Sequence, residues 1–196
     1  FSPAGVSKTT VSHVINRSRA VSGEAQTRVH KAIRDLDYKV NTIARNLRSG
    51  NSHLIGFVVT NLTNYFYINV ASGLNSVLKP KGYKLFYVNS FEDAEIEKQN
   101  IEDMVHHSVD GLVIAPTANN CKYMEAIIPI GLPTLFIDRK PREFTRDTVL
   151  PTNFQGVYEA VDHLIKKGHT RIGFIGSRNN DTMNERHEGF LRALSD

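Results

Sequence analysis

The chain has 196 residues, 40% apolar and 22% charged, with a net charge of +4, an ordinary globular balance with room for one or two domains. Cys121 is the only cysteine, which excludes a disulfide framework and a thiolate metal cluster and fits a reducing compartment. No run approaches the ~18 apolar residues of a membrane span, and no charged leader precedes an apolar stretch. The expectation is a cytoplasmic protein, or one whose leader lies outside this sequence, since the chain opens on Phe1 and stops at Asp196 inside a helical pattern.

Charge is uneven along the chain. Residues 1–50 hold nine Lys/Arg against three acids, and the remainder is slightly acidic. A basic head on a body of different character suits polyanion binding, although a merely solvated basic surface would count the same.

The first helix is predicted over residues 5–16, GVSKTTVSHVIN. Ser7 can cap it, and Val11, Val14 and Ile15 recur at helical spacing on one face. The other face carries Lys8, Thr9, Ser12 and His13, donors suited to base edges and phosphates. Alone, the stretch reads equally as a recognition helix or as a small amphipathic helix with a solvated face. After a polar loop over 17–20, a second helix begins at Ser22, with Glu24 near the positive end of its dipole and Val29, Ala32, Ile33 and Leu36 as its apolar stripe. Two short helices bury little. A stable helix-turn-helix domain has another helix ahead of the recognition helix, and only residues 1–4 stand there, so a truncated first helix is expected. Residues 41–47 can form about two helical turns, too few to be stable alone, followed by a break at Ser49, Gly50 and Asn51. By spacing alone, Ile43 and Leu47 simply pack on the head.

From residue 52 the pattern becomes alternating strands and helices. Strands are predicted over 54–59, 83–88, 111–115, 134–137 and 171–175, with a short one near Val149. Helices are predicted over 66–78 (with Ile68, Ala71, Leu74, Val77 and Leu78 inward), 94–106, 122–128, 156–167 and 183–194. Near-continuous apolar strands with crossover helices imply a parallel sheet covered on both faces, with ligands bound outside the carboxyl ends of the strands. The loops there, 61–67, 89–93, 116–120, 138–140, 152–154 and 177–184, are rich in Asn, Asp, Ser and Thr, with Phe66 and Tyr67 interleaved. That mixture suits a small polar ligand. No nucleophile elbow, HExxH or P-loop is present, so neither an enzyme nor a cofactor is expected. His106 and His107 are adjacent and point to different sides of a helix, a poor metal pair. GFIG, ending at Gly176, lacks a third glycine and reads as a strand terminus, and Cys121 reads as a bystander.

Three stretches carry a resemblance: GVSKTTVSHVIN, VSGEAQTRVHKAIRDLDY from Val21, and VNTIARNLRSG from Val40 to Gly50. Together they resemble the lactose/galactose repressor (LacI/GalR) family of bacterial transcription factors, most closely its purine-repressor branch, and the resemblance runs to the last residue. It implies a small all-α helix-turn-helix head plus an α/β, periplasmic-binding-protein-like parallel sheet with helices on both faces and an incomplete second lobe. The implied domains are a head over 1–39, a hinge helix and linker over 40–51, a first lobe over 52–152 and the start of a second over 153–196.

The resemblance further implies that Lys8, Thr9 and His13 face the major groove, with Ser7, Thr10, Ser12 and Asn16 mainly on phosphates. In the hinge, Asn41, Arg45 and Arg48 would contact DNA while Leu47 wedges between base pairs in the minor groove. Phe66, Tyr67, Asp138, Asn153 and Arg186 would surround the effector. Four of them have a plainer reading: hydrophobic wall for Phe66 and Tyr67, a turn for Asp138, and an ion pair with Asp181 or Glu185 for Arg186. Thr152 stands where the family frequently has Asp, and Arg139 where the purine branch has an aromatic residue, so the purine-like head does not license a purine effector.

What the resemblance implies as function is a homodimeric repressor that reads double-stranded operator DNA under control of a sugar or a nucleoside/purine-like effector, with no membrane association. A solute-binding protein for transport and a nucleotide- or sugar-processing enzyme are the rivals, and neither explains residues 5–16 and 41–47 together. A full two-lobed core would need roughly another hundred residues. The chain as it stands is therefore expected to expose apolar surface around its last two helical patterns, to bind effector poorly and not to dimerise.

Overall fold

In the computed structural model the described residues are 3–16, 18–38, 50–117, 121–176 and 181–196. They fall into two compact units, Phe1–Gly50 and Asn51–Asp196. The first unit contains α1 (Lys8–Asn16) and α2 (Gly23–Asp35). Ser7 begins α1 by accepting from the Thr10 amide at 3.1 Å, and Ser22 begins α2 by accepting from the Ala25 amide at 3.4 Å. Each hydroxyl satisfies a helix-end donor that would otherwise be orphaned. Ala4, Val14 and Val29 are buried together, with Val11, Ala32 and Ile33 packed on them. Leu36 falls just past α2 and is exposed, although the sequence pattern puts it on the apolar stripe. An open groove of about 310 Å³ remains between the helices, lined by Ala4, Val11, Ile15, Val29 and Ile33. The predicted hinge turns over 41–47 lie outside the described residues.

The second unit runs β1 (Leu54–Val59), α3 (Tyr65–Leu78), β2 (Lys84–Asn89), α4 (Ala94–His106), β3 (Gly111–Ile114), α5 (Tyr123–Ile127), β4 (Thr134–Ile137), β5 (Asp147–Val149), α6 (Asn153–Lys166) and α7 (Asp181–Ser195). The strands form one sheet in the order β2-β1-β3-β4-β5, and every neighbouring pair is parallel. Successive residues of a strand point to opposite faces, so β1, β3 and β4 each feed two cores. Val58, Leu112, Ile114 and Phe136 meet Ile101 and Met104 of α4 and Met124 of α5 on one face. Phe57, Val59, Val113 and Ile137 meet Tyr67, Val70, Ala71 and Leu74 of α3 on the other. Gly56 belongs to the α4 side, where a Cβ would lie 2.7 Å from Leu112 Cδ2 and closer still to Met104 Sδ. The missing side chain lets α4 approach the sheet.

Three expectations are corrected. The inward stripe of α3 is rotated by one residue: Tyr67 and Val70 face the sheet, while Ile68 and Val77 are exposed. Tyr67 can take the inward position because its hydroxyl finds polar partners at the sheet's end. Helix α6 begins at Asn153, three residues before the predicted start, because Thr152 already accepts through its carbonyl from Gly156 N at 2.9 Å. The strand predicted over 171–175 is not one: residues 171–176 have no regular secondary structure and Ile175 is fully exposed. A strand exists through a neighbour's backbone, and none of the five strands runs beside this segment. Ile172 and Phe174 lean instead on Val161, Phe190 and Ala193 of the α6–α7 pair. Leu164, Ile165, Leu191 and Leu194 of that pair are exposed. Among the described residues no helix is long and apolar enough to cross a membrane.

Candidate functional site

The basic head offers the start of α1. Ser7, Lys8 and Thr9 are exposed there, in front of helix amides whose partial positive charge favours phosphate. Ser7 Oγ also pairs with Thr10 Oγ1 at 2.9 Å, so these two hydroxyls are turned toward each other. Thr10, Ser12 and His13 are half-buried. His13 Nδ1 lies 2.8 Å from Ser18 Oγ, so the loop after the helix fixes the ring's orientation. The Asn16 side chain lies outside the description, as do Asn41, Arg45, Leu47 and Arg48.

The second constellation stands at the carboxyl ends of the strands. Asp138 follows β4 at φ 64, at the centre of a three-residue turn closed by Arg139 N–H to Ile137 O at 2.6 Å. A left-handed aspartate is strained, and it persists only where neighbours over-determine it. Tyr67 is that neighbour. It is 2% exposed, and its hydroxyl donates to Asp138 Oδ2 at 2.9 Å while accepting from Thr60 Oγ1 at 3.3 Å. Burial, reinforced by the Asp138 charge, pushes the phenol up to about 12, so it remains a donor at neutral pH. Phe66 meets Tyr67 edge-on with ring centroids 5.2 Å apart but is 41% exposed.

Arg139 braces three of the loops. Its Nη1 and Nη2 donate to Glu92 Oε2 at 2.7 Å and Oε1 at 2.8 Å, and Nη1 also reaches the carbonyls of Pro116 and Thr117 at 3.3 and 3.4 Å. The forked hydrogen bond holds the Glu92 carboxyl below its ordinary value despite partial burial. Beneath this brace, fully buried Glu97 accepts from Thr117 N and Thr117 Oγ1, each at 2.8 Å, and from the Tyr123 hydroxyl.

Asn153 comes from the start of α6 and is buried. Its Nδ2 donates to Glu185 Oε2 at 3.2 Å, and its Oδ1 accepts from Arg186 Nε at 2.9 Å. Asp181 takes Nε and Nη2 of Arg142 at 3.2 and 2.8 Å, and among the described residues Arg186 forms no ion pair with Asp181 or Glu185. Thr182 Oγ1 donates to Asp138 O at 3.1 Å, joining α7 to the end of β4. Asp138, Asn153, Thr182 and Glu185 line a cavity of about 180 Å³.

Of the five expected effector residues, the structure thus brings together Tyr67, Asp138, Asn153 and Arg186. Asp138 and Asn153 line the cavity; Tyr67 reaches it through Asp138 and Arg186 through Asn153, and Phe66, Tyr67 and Arg186 are not among the lining residues. Glu185 and Thr182 are members the sequence reading missed. Both sit on the same helix as Arg186, and Glu185 is its immediate neighbour.

Comparisons with known proteins agree with this division of the chain. A family model described as "Periplasmic binding proteins and sugar binding domain of LacI family" matches residues 52–196, and "Bacterial regulatory proteins, lacI family" matches residues 2–41. The HTH-type transcriptional repressor PurR of Aliivibrio salmonicida is 34% identical over 98% of this chain, which spans 59% of that protein. A LacI family transcriptional regulator from Silicibacter pomeroyi superposes with a TM-score of 0.75 at 26% identity, over 98% of this chain and 59% of that one. The lac repressor dimer bound to operator and the anti-inducer ONPF gives a TM-score of 0.81 over the same shares, a likeness of fold at 24% identity. The chain spans somewhat more than half the length of these relatives. With a basic helical head and a parallel-sheet lobe each matched in order along one sequence, the chain belongs to the LacI family of bacterial regulatory proteins.

Proposed function

We propose that the chain is the DNA-reading and effector-sensing portion of a transcriptional repressor whose effector is a small, neutral, polyhydroxylated molecule. The observation that carries the reading is the pairing, on one chain, of a helix presenting Lys8 and Thr9 outward with a lobe whose strand ends converge on a ligand-sized cavity. In this reading Lys8, Thr9 and His13 contact base edges, and Ser7, Thr10, Ser12 and Asn16 contact phosphates. Asn41, Arg45 and Arg48 hold a hinge against the minor groove, into which Leu47 wedges. The working parts are the head over 1–39, the hinge over 40–51, the first lobe over 52–152 and the start of a second lobe from 153. The protein acts as a homodimer in the cytoplasm and catalyses no reaction.

Two features favour a neutral effector. The cavity is smaller than the roughly 300–1,000 Å³ of drug-sized sites, and the carboxylates and amide of Asp138, Glu185 and Asn153 along it suit hydroxyl donors. Lys140 and Arg142 also line the cavity, with Arg142 engaged by Asp181, so the neutral-effector reading rests on the lining acceptors.

Gel shifts on a duplex selected by the chain from a random pool test the first half. Affinity is expected to fall with salt at a log–log slope of about −0.9 per neutralised phosphate, and Lys8→Ala, which removes a base contact, should cost about 1–3 kcal/mol on the selected duplex and relax its base preference. Salt-insensitive binding, or no selected sequence, defeats the repressor reading. A thermal-shift screen of free sugars, sugar phosphates and nucleosides tests the second half. The sugar found should bind Asp138→Asn about tenfold more weakly, since one charge-assisted hydrogen bond is lost while asparagine still tolerates the left-handed backbone. A hit confined to sugar phosphates defeats the neutral-effector reading.

A further inference from the structure

Just before β1 the chain makes a double bend, with Gly50 at φ 70 and His53 at φ 57. Glycine accepts the left-handed region without penalty, but histidine does so only where its surroundings leave no alternative. Those surroundings are unusually complete. Asp110 Oδ1 accepts from Ser52 N at 2.7 Å and from Ser52 Oγ at 2.9 Å, and Asp110 Oδ2 accepts from His53 N at 2.8 Å. Ser52 Oγ also receives Leu54 N at 3.1 Å, His53 O receives Lys84 N at 2.9 Å, and the His53 ring stands edge-on to Tyr83 at 5.2 Å.

The carboxylate that grips these two residues sits immediately before β3. The four residues of β3 are all buried, and the strand runs between β1 and β4. At its other end β3 leads into Pro116 and Thr117, whose carbonyls take Arg139 and whose amide and hydroxyl, on Thr117, take Glu97. The strand is therefore a strut fastened at both ends, at the tether by Asp110 and at the ligand-side loops by Arg139 and Glu97. A fully buried strand cannot bend locally, because its neighbours on both faces are close-packed.

We infer that Asp110 is a positioning residue that clamps the junction between the tether and the sheet, fixing where the hinge leaves the lobe and tying that exit to β3. The inference rests on the repressor reading only for its consequence on DNA, since the clamp itself is a property of residues 52, 53 and 110.

The test follows amide exchange by NMR in the whole chain, native and as Asp110→Asn, with Ser52→Ala as a milder variant that keeps the Asp110 carboxylate and, within the sheet, takes an acceptor from the Leu54 amide alone. Asparagine keeps the size but turns a donor toward the His53 amide. In Asp110→Asn the Ser52 and His53 amides should exchange about tenfold faster while those of β1 and β3 stay unchanged, with Ser52→Ala between the two. On the duplex selected by the native chain, Asp110→Asn should bind about fivefold more weakly, with unchanged affinity for a scrambled duplex of equal length. Unaltered exchange at 52 and 53, or acceleration spread evenly over β1 and β3, overturns the clamp, and so does a loosened junction with undiminished affinity for the selected duplex. If the native chain selects no duplex, the repressor reading has failed, and the exchange result alone decides the clamp.

Discussion

Gly189→Val is expected to undock α7 from α6. A Cβ at this position would lie 3.1 Å from the Phe154 carbonyl carbon and 3.2 Å from Tyr158 N, with the Phe154 carbonyl oxygen nearer still. All three are backbone atoms of α6, so no rotamer change can clear them, and the helices must separate. Separation strips Val161, Phe190 and Ala193 of their shared burial and breaks the Asn153 bonds to Glu185 and Arg186, which span the same two helices. Overpacking ordinarily costs about 1–3 kcal/mol, and immovable backbone puts this case at about 3 kcal/mol or above. Amide protection across Asp181–Ser195 should vanish while the sheet retains its own melting transition. Gly73 provides the contrast: within α3 nothing lies within 4 Å of its Cβ position, so Gly73→Ala should be neutral or stabilising by up to ~1 kcal/mol. Intact protection in Gly189→Val would refute the close approach.

Removal of the Glu97 carboxylate has a comparable expected effect, with a pH signature. Glu97→Ala leaves the Thr117 amide and the Tyr123 hydroxyl without their acceptor in a buried place, while the Thr117 hydroxyl keeps Ser90 Oγ at 2.9 Å, a loss of about 3 kcal/mol. Glu97→Gln differs, because its carbonyl can still accept from Thr117 and its amide can donate to the Tyr123 oxygen. Burial holds the Glu97 carboxyl above its ordinary value of 4.5, against the smaller opposing pull of the Tyr123 and Thr117 hydrogen bonds. The folded protein therefore holds this proton more tightly than the unfolded chain. The associated stability is complete below 4.5 and is lost as pH rises through the higher folded value. Glu92 runs the other way: Arg139 lowers its pKa, so its contribution is present above 4.5 and is lost as pH falls through the lowered value. Urea unfolding of the native chain and Glu97→Gln over this range isolates the first group. The native chain should lose ground to the glutamine variant as pH rises, and a pH-independent difference would show that Glu97 does not titrate with folding.

Much of the α/β body was legible in the sequence. The ranges 54–59, 94–106 and 134–137 coincide with β1, α4 and β4 because buried parallel strands read as unbroken apolar runs and because Asp93 caps α4 where a cap is needed. Residues 171–175 have the same apolar character and yet form no strand, since the deciding partner is a neighbouring backbone that composition does not encode. In α3 the true stripe, Tyr67, Val70, Ala71 and Leu74, lay at helical spacing beside the expected one, and it turns the Tyr67 hydroxyl inward. That hydroxyl is satisfied by Asp138, 71 residues away, a pairing only the fold creates. Glu97 left a fainter trace: with Ile101 and Met104 it falls on the apolar stripe of α4, where a carboxylate implies waiting donors. The Arg139–Glu92 brace left none, because both residues look like solvated charges in their loops.

Phe91, Glu92 and Asp138 occupy the left-handed region at φ 55, 59 and 64, all at the carboxyl ends of β2 and β4. Such backbone costs about 1–3 kcal/mol per residue, so these turns are a standing reserve of strain at the strand ends, and one of them, at Asp138, lines the cavity. Selection for heat resistance alone would relax these positions toward glycine or asparagine before touching the close-packed interior. Lineages evolved that way would grow sturdier while the turns at these strand ends lost their fixed geometry.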